Sequence, residues 1–177
     1  MENQTELIKK RLFREEGAKV YAVLDGASCE NLLQMFFKFE PEYVCLYQGD
    51  LEPDMAEVAP YLVRLERDTP FIDWLLEAGW GNHYGIFAVA FSDLKQTRQH
   101  FRKFLTVYDS KGKPMLFRYY DPRVLRIYLP TCNAQELEQF FGNLEFLFIE
   151  DSDKKMAVKL RFEAEGLQQE KIQVSND

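Results

Sequence analysis

The chain alternates between short apolar runs and segments whose apolar residues recur every three or four positions. Runs of four to eight apolar residues bounded by Gly, Pro or Asp are typical of buried β-strands. We predict such strands in KVYAVLDG (19–26), YVCLY (43–47), YLVRLE (61–66), YGIFAVAF (84–91), LEFLFIED (144–151) and KKMAVKLRFE (154–163). FLTVYD (104–109) and PMLFRYYD (114–121) flank the short connection SKGK (110–113) and predict a β-hairpin. GLQQEKIQVSND (166–177) has no comparable apolar run and is interpreted as a polar tail.

Helical spacing fills most of the intervening segments. The predicted helices lie in CENLLQMFFKF (29–39), TPFIDWLLEAG (69–79), LKQTRQHFRKFL (94–105), PRVLRIYLP (122–130) and TCNAQELEQFFG (131–142). Their predicted N-caps are Ser28, Thr69, Ser92 or Asp93, Asp121 and Asn133. The segment QGDLEPDMAEVAP (48–60) is interpreted as an acidic loop. Strands that alternate with helices, together with one hairpin, predict an α/β or α+β fold, a single compact domain with a mixed β-sheet flanked by helices.

Composition supports a folded domain and sets its expected compartment. The 177 residues are 46% hydrophobic and 15% aromatic, enough for a substantial core. No run approaches the length of a membrane span, and the first residues lack the apolar region of a signal peptide, so we expect a cytoplasmic protein without membrane contact. Cys29, Cys45 and Cys132 are widely spaced among apolar neighbours and predict reduced, mostly buried thiols.

Charge is distributed unevenly along the chain. The net charge is −7, yet residues 95–126 contain nine Lys or Arg and two Asp. This basic segment could form a binding face for an acidic partner, or it could pair with acidic segments of the same chain, and both readings stay open. A sequence pI near 5.0 disfavours nucleic acid as a partner.

Few residues could support catalysis. The chain has two histidines, and the common nucleophile, metal and nucleotide motifs are missing, so we expect no metal and no cofactor. His83 lies in the glycine-rich turn GWGNHYG (79–85) and could line a cleft. A small hydrolase that uses His83 with a nearby carboxylate such as Asp25 is therefore the alternative function.

Several motifs occur together in one order. They are YAVLDGA (21–27), EVAPYLVRLERDTPFIDWLLEAGWGNHYGIF (57–87), FRKFLTVYDSKGKPMLFRYYDPRVL (101–125) and LP (129–130). In this combination the chain resembles the bacterial type VI secretion adaptor family, or effector chaperones, over roughly residues 20–151. That resemblance divides the chain into an N-terminal helix (1–19), an adaptor-like domain (20–151) and a closing strand with a polar tail (152–177).

The resemblance implies a function and partners. Members of that family are non-catalytic: they bind a cognate toxic effector in the cytosol and help to load it onto the spike protein VgrG. The matching motif positions here are Asp25, Gly26, Pro60, Pro70, Trp74, Trp80, Gly81, Gly85, Arg118, Asp121, Pro122 and Arg123. Tyr84 departs from the pattern, since many members have a second tryptophan there, and many members also continue into a second carboxy-terminal lobe.

Two groups of candidate residues follow. Arg118 and Arg123 can approach Asp121 or another carboxylate, so we expect a structural hub of ion pairs. The hub consists of Asp25, Arg118, Asp121, Pro122 and Arg123. A partner surface needs exposed aromatic residues or a basic face. The candidates for that surface are Trp80, His83, Tyr84, Lys95, Arg98 and Arg102.

Overall fold

A computed structural model describes residues 2–164 and 166–175 of the chain. Within these residues it contains seven α-helices and nine β-strands, with one 3₁₀ turn at Leu129–Thr131. The helices are α1 (Gln4–Leu12), α2 (Leu32–Phe39), α3 (Pro53–Val58), α4 (Pro70–Gly79), α5 (Leu94–Arg102), α6 (Pro122–Tyr128) and α7 (Ala134–Phe141). The strands are β1 (Lys19–Asp25), β2 (Tyr43–Cys45), β3 (Pro60–Leu65), β4 (Gly85–Ala90), β5 (Thr106–Tyr108), β6 (Pro114–Leu116), β7 (Leu144–Glu150), β8 (Met156–Glu163) and β9 (Gly166–Gln173).

Seven of the strands form one sheet in the order β2-β3-β1-β4-β7-β8-β9. Each neighbouring pair is antiparallel. The fold class is confirmed, but the predicted mixture of parallel and antiparallel pairs is not found in this sheet. The alternation of strands and helices suggested parallel neighbours, yet β3 and β4, which α4 connects, lie on either side of β1 and run opposite to it. The crossover therefore skips one strand. β5 and β6 form the predicted hairpin outside the sheet.

Both faces of the sheet are covered because side chains alternate along each strand. Val20, Ala22 and Leu24 of β1 point into a core that they share with α1, α2 and α4. Tyr21 and Val23 of the same strand point into a second core with α5, α6 and α7. The result is three layers, and it explains why β1 reads as a continuous apolar run.

The N-terminal helix is packed onto the first of these cores. Ile8 and Leu12 are fully buried there. Lys9 on the same side of α1 is 3% exposed, where it bonds to Asp73 of α4 and to Glu6 at 3.2 Å. These carboxylates raise the pKa of Lys9 against the opposing effect of burial.

Local capping patterns predicted three helix starts. Asp93 with Gln96 and Asn133 with Glu136 each form a reciprocal capping box at α5 and α7. Asp121 accepts a bond from the Arg123 backbone N–H at the start of α6.

Three other predictions about local structure were wrong. Ser28 does not cap α2: the helix begins at Leu32 after Asn31, whose backbone is left-handed, and the Ser28 hydroxyl bonds to Asp25 instead. The acidic loop contains the short helix α3, which begins with Pro53 at its first position. Most of the predicted polar tail forms the edge strand β9, which contributes few buried apolar side chains and so lacks a strong apolar run. The last two residues, 176–177, lie outside the described part of the chain.

All three cysteines are free, with Cys29 buried and Cys45 and Cys132 half-buried, as predicted. Burial raises the pKa of the Cys29 thiol to about 12. Among the described residues no helix is both long and apolar enough to cross a membrane.

Candidate functional site

Four buried carboxylates collect near one end of the sheet. Asp25 ends β1, Glu150 ends β7 and Asp151 follows it, while Asp121 caps α6; none of the four is more than 7% exposed. We call these residues the carboxylate cluster. A buried carboxylate costs free energy unless it is paired and hydrogen-bonded, so each one identifies the groups that support it.

Asp25 holds the hairpin to the sheet. Its Oδ2 bonds to the Arg118 guanidinium and accepts from the Ser28 hydroxyl at 2.9 Å, while its Oδ1 accepts from the Ala27 N–H at 3.1 Å. Arg118 follows β6, 93 positions further along the chain. The Asp25 carboxylate thus links two distant segments by charge-assisted hydrogen bonds.

The backbone after Asp25 is tightly enclosed. A Cβ on Gly26 would lie 2.5 Å from the Glu57 carbonyl oxygen and 2.6 Å from that of Ala59. The Gly26 N–H donates to the Ala59 carbonyl at 3.1 Å. Glycine is required because β1 and the segment before β3 approach too closely for any side chain.

Asp121 and Arg123 form a second unit. The Arg123 side chain donates to both carboxylate oxygens of Asp121, from Nε at 3.0 Å and from Nη2 at 2.8 Å, and the Arg123 backbone N–H donates at 2.9 Å. Burial alone would raise the pKa of Asp121, but these bonds hold it below its usual value. Pro122 occupies the first helical position and is itself buried.

Asp151 is paired with two cations. Lys171 of β9 lies 2.8 Å from one oxygen and Arg126 of α6 lies 3.8 Å from the other. Arg126 also donates to the Glu150 backbone carbonyl at 2.8 Å. Burial alone would raise the pKa of Asp151, but Lys171 and the Ser152 N–H lower it.

Glu150 joins the cluster to the glycine-rich turn. It accepts from the Gly81 N–H at 2.6 Å through Oε2 and contacts His83 Nδ1 through Oε1. Gly81 has a φ of +78°, a conformation that glycine adopts without strain, and His83 adopts the same left-handed region with a φ of 61°. The turn therefore directs two polar groups towards one buried carboxylate.

The structure thus places His83 beside a carboxylate, but that carboxylate is Glu150, whereas Asp25 bonds to Arg118. The cavity next to Glu150 has a volume of only about 10 Å³. Clefts of about 330 to 600 Å³ elsewhere in the described chain are lined by neither His83 nor Asp25. No set of three or more His, Cys, Asp or Glu among the described residues is arranged to hold a metal ion.

Two aromatic residues expected on a partner surface are not freely exposed. Trp80 is 7% exposed, packs in the core against Phe87 and Phe148, and donates from Nε1 to the Lys154 carbonyl at 2.9 Å. Its expected exposure was wrong because the GWG turn folds inward over the sheet end. Tyr84 is half-buried against Trp74.

The basic residues of α5 lie on the outer side of the helix. Lys95 is exposed, and Arg98 and Arg102 are half-buried. Arg98 donates from Nε to the Cys45 carbonyl of β2 at 3.0 Å. Arg102 lines a cleft of about 490 Å³ between α5, the segment after β2 and the hairpin.

Ion pairing divides the basic segment 95–126 into two parts. Arg118, Arg123 and Arg126 each lie within 4.0 Å of a carboxylate. The other six cations have no carboxylate within that distance among the described residues; they are Lys95, Arg98, Arg102, Lys103, Lys111 and Lys113. Pairing with acidic segments of the same chain therefore accounts for the carboxy-terminal third of the segment only.

Sequence reasoning missed part of the cluster. Glu150, Asp151 and Lys171 were not among the candidates, and Arg126 was counted only as part of the basic segment. The available signal was the acidic pair that ends the apolar run LEFLFIED, because carboxylates that continue a buried strand must find partners.

Comparison with known families bears on the same residues. A family model described as Domain of unknown function (DUF4123) matches residues 20–139. The chain belongs to this family. The match begins after α1 and includes Asp25, Arg118, Asp121 and Arg123. No curated protein and no solved structure matches the chain.

Proposed function

We propose that this DUF4123 protein is a type VI secretion effector adaptor that binds a cognate effector in the bacterial cytosol and helps to load it onto the VgrG spike. Family membership carries the proposal, because DUF4123 proteins are known as effector adaptors of that system. The partners are therefore a protein toxin and the spike protein, and the role needs neither a catalytic residue nor a cofactor.

The arrangement of the motif residues supports a binding role. Asp25 is paired with Arg118 and Asp121 with Arg123, and both carboxylates are buried. Carboxylates paired in this way are occupied by their partners, and loss of a partner would leave a buried charge unpaired. The cations that have no carboxylate partner among the described residues lie elsewhere, on and just after α5 and in the hairpin turn.

The test is recovery of a partner from the native host. A chromosomally tagged copy is purified from the host cytosol while the secretion system is expressed, and the bound proteins are identified and quantified by mass spectrometry. We expect one effector at near-equal stoichiometry, with the spike protein in the same complex. A strain that carries the tag on an unrelated cytosolic protein is the control. Recovery of no effector with the folded tagged protein would contradict the proposal.

The contact between His83 and Glu150 keeps a hydrolase as the second candidate, since a histidine beside a buried carboxylate is a plausible general base. The nearly filled cavity beside that contact argues against it. Hydrolysis of p-nitrophenyl esters by the wild type that is lost in His83→Ala would support the hydrolase; we expect no hydrolysis by either protein.

A further inference from the structure

We propose that the cleft between α5 and the β5–β6 hairpin binds an acidic amphipathic segment of the effector. This inference rests on the proposed adaptor function and adds to it the surface and the chemistry of the bound segment. The surface consists of the cleft-lining residues Arg102, Lys103, Leu105 and Leu116, together with Tyr108, which lies on the same face of the hairpin as Leu116. It is called the hairpin cleft below.

One side of the hairpin cleft is positively charged. Arg102 and Lys103 line it, and the described residues that line it include no Asp or Glu. Lys111 and Lys113 lie at the hairpin turn, where Asp109 accepts the backbone N–H groups of both residues. In a chain of net charge −7, cations left without a carboxylate favour an acidic partner.

The hairpin beside the cleft carries exposed apolar side chains. Thr106 is paired with Leu116, and Tyr108 is paired with Pro114, so these four side chains share one face of the hairpin. Leu116 is 57% exposed and Tyr108 is 70% exposed. Beneath them the cleft reaches the buried Leu105. Exposed apolar side chains grouped on one face are typical of a protein interaction surface.

The two strands of the hairpin are not paired with the main sheet. Each of its strands has three residues, and they pair only with each other. A two-stranded hairpin is marginally stable without packing on one face. A partner that covers Leu116 and Tyr108 would supply that packing, while its carboxylates would pair with Arg102 and Lys103.

The first experiment reverses the charge of the cleft. Arg102→Glu with Lys103→Glu is compared with Arg11→Glu with Arg14→Glu, which makes the same charge change on and after α1, across the sheet from the cleft. Each variant is tagged in the host, and the effector recovered with the wild type is quantified. We expect the cleft variant to recover at least about tenfold less effector than the wild type, because like charges across an interface are strongly unfavourable. The control should recover as much effector as the wild type.

The second experiment identifies the bound segment of the effector and its amino-acid composition. p-Benzoylphenylalanine replaces Leu116, the bound effector is photo-crosslinked, and the crosslinked peptide is sequenced by mass spectrometry. We expect a peptide with excess Asp and Glu between apolar residues. Replacement of its acidic residues by Lys should restore binding to the Arg102→Glu, Lys103→Glu protein.

The outcomes separate this inference from the function on which it rests. Equal effector recovery by the wild type and the cleft variant, or a crosslinked peptide without excess acidic residues, would overturn the cleft while the adaptor function stands. If the wild type recovers no effector, the adaptor function fails and the inference fails with it.

Discussion

The two parts of the basic segment differ in how their charges are used. Arg118 joins the hairpin to β1 and Arg126 joins α6 to the end of β7, while Arg123 pairs locally with Asp121 at the start of α6. Arg102 and Lys103, earlier in the same segment, have no carboxylate partner among the described residues. A run of like charge in a sequence can therefore contain both a structural part and a binding part, and only the positions of the carboxylates separate them.

The largest effect is expected at Asp25. Asp25→Ala removes the bonds to Arg118, Ser28 and Ala27, and we expect the free energy of unfolding to fall by about 3 kcal/mol. Arg118 is 42% exposed on its side chain and can recover water, which limits the loss. Urea unfolding measures it as a lower midpoint at unchanged slope. Asp50→Ala, on an exposed loop, is the control; equal midpoints for the two variants would refute a structural role for Asp25.

A smaller effect is expected at Asp121. Asp121→Ala removes a helix cap and the bidentate pair with the half-exposed Arg123, and we expect a loss of about 1 to 2 kcal/mol. Because the pKa of Asp121 is lowered by folding, its contribution is present above the unfolded value near 3.8 and is lost as the pH falls towards the folded pKa. The free energy of unfolding, measured as a function of pH, should therefore fall less steeply at acid pH in Asp121→Ala than in the wild type. An equally steep fall together with an unchanged melting temperature would contradict the hub.

A pH-dependent effect on stability is expected at His100 of α5, which contacts α7. His100 donates from Nε2 to the Phe140 carbonyl of α7 at 2.8 Å, and burial lowers its pKa below 6.5. The unfolded chain then binds the proton more readily, so stability falls as the pH drops below about 6.5 towards the folded pKa. His100→Gln keeps a donor but does not titrate. We expect a smaller loss of stability between pH 7 and pH 5 in this variant by urea unfolding; an identical loss would show that His100 is not responsible.

The smallest effect on stability is expected at the hairpin cleft. Arg102→Ala with Lys103→Ala should change the free energy of unfolding by less than about 0.5 kcal/mol, because neither side chain has an ion-pair partner in the described chain. Thermal unfolding measures it directly. A loss as large as that of Asp121→Ala would abolish the distinction between the two parts of the segment.

The sequence predicted what depends on neighbouring residues. The capping boxes at Asp93 and Asn133 and the start of α6 at Asp121 follow from groups a few positions apart. Ser28 also matched the pattern of an N-cap. Its hydroxyl instead donates to Asp25 and accepts from Arg118, which lies 90 residues further along the chain. No local pattern contains that information.

The remaining misses have the same origin. β9 is an edge strand with mostly polar side chains, and its position is set by register with β8 rather than by its own hydrophobicity. Glu150 was missed because its partners, Gly81 and His83, come from a turn 67 to 69 positions earlier. Trp80 was wrongly expected to be exposed. Its burial depends on how that turn folds over the end of the sheet and not on its neighbours in the sequence.

The bond between Arg98 and Cys45 has a consequence for association between copies of the protein. Leu46 N–H and Arg64 N–H bond between β2 and β3, so the intervening Cys45 carbonyl points away from β3 towards the open edge of the sheet. Arg98 Nε already occupies that carbonyl. An edge strand of only three residues, with an outward acceptor covered by a charged side chain, is a poor template for another strand. The β2 edge of the sheet is thereby protected from pairing with a strand of another copy.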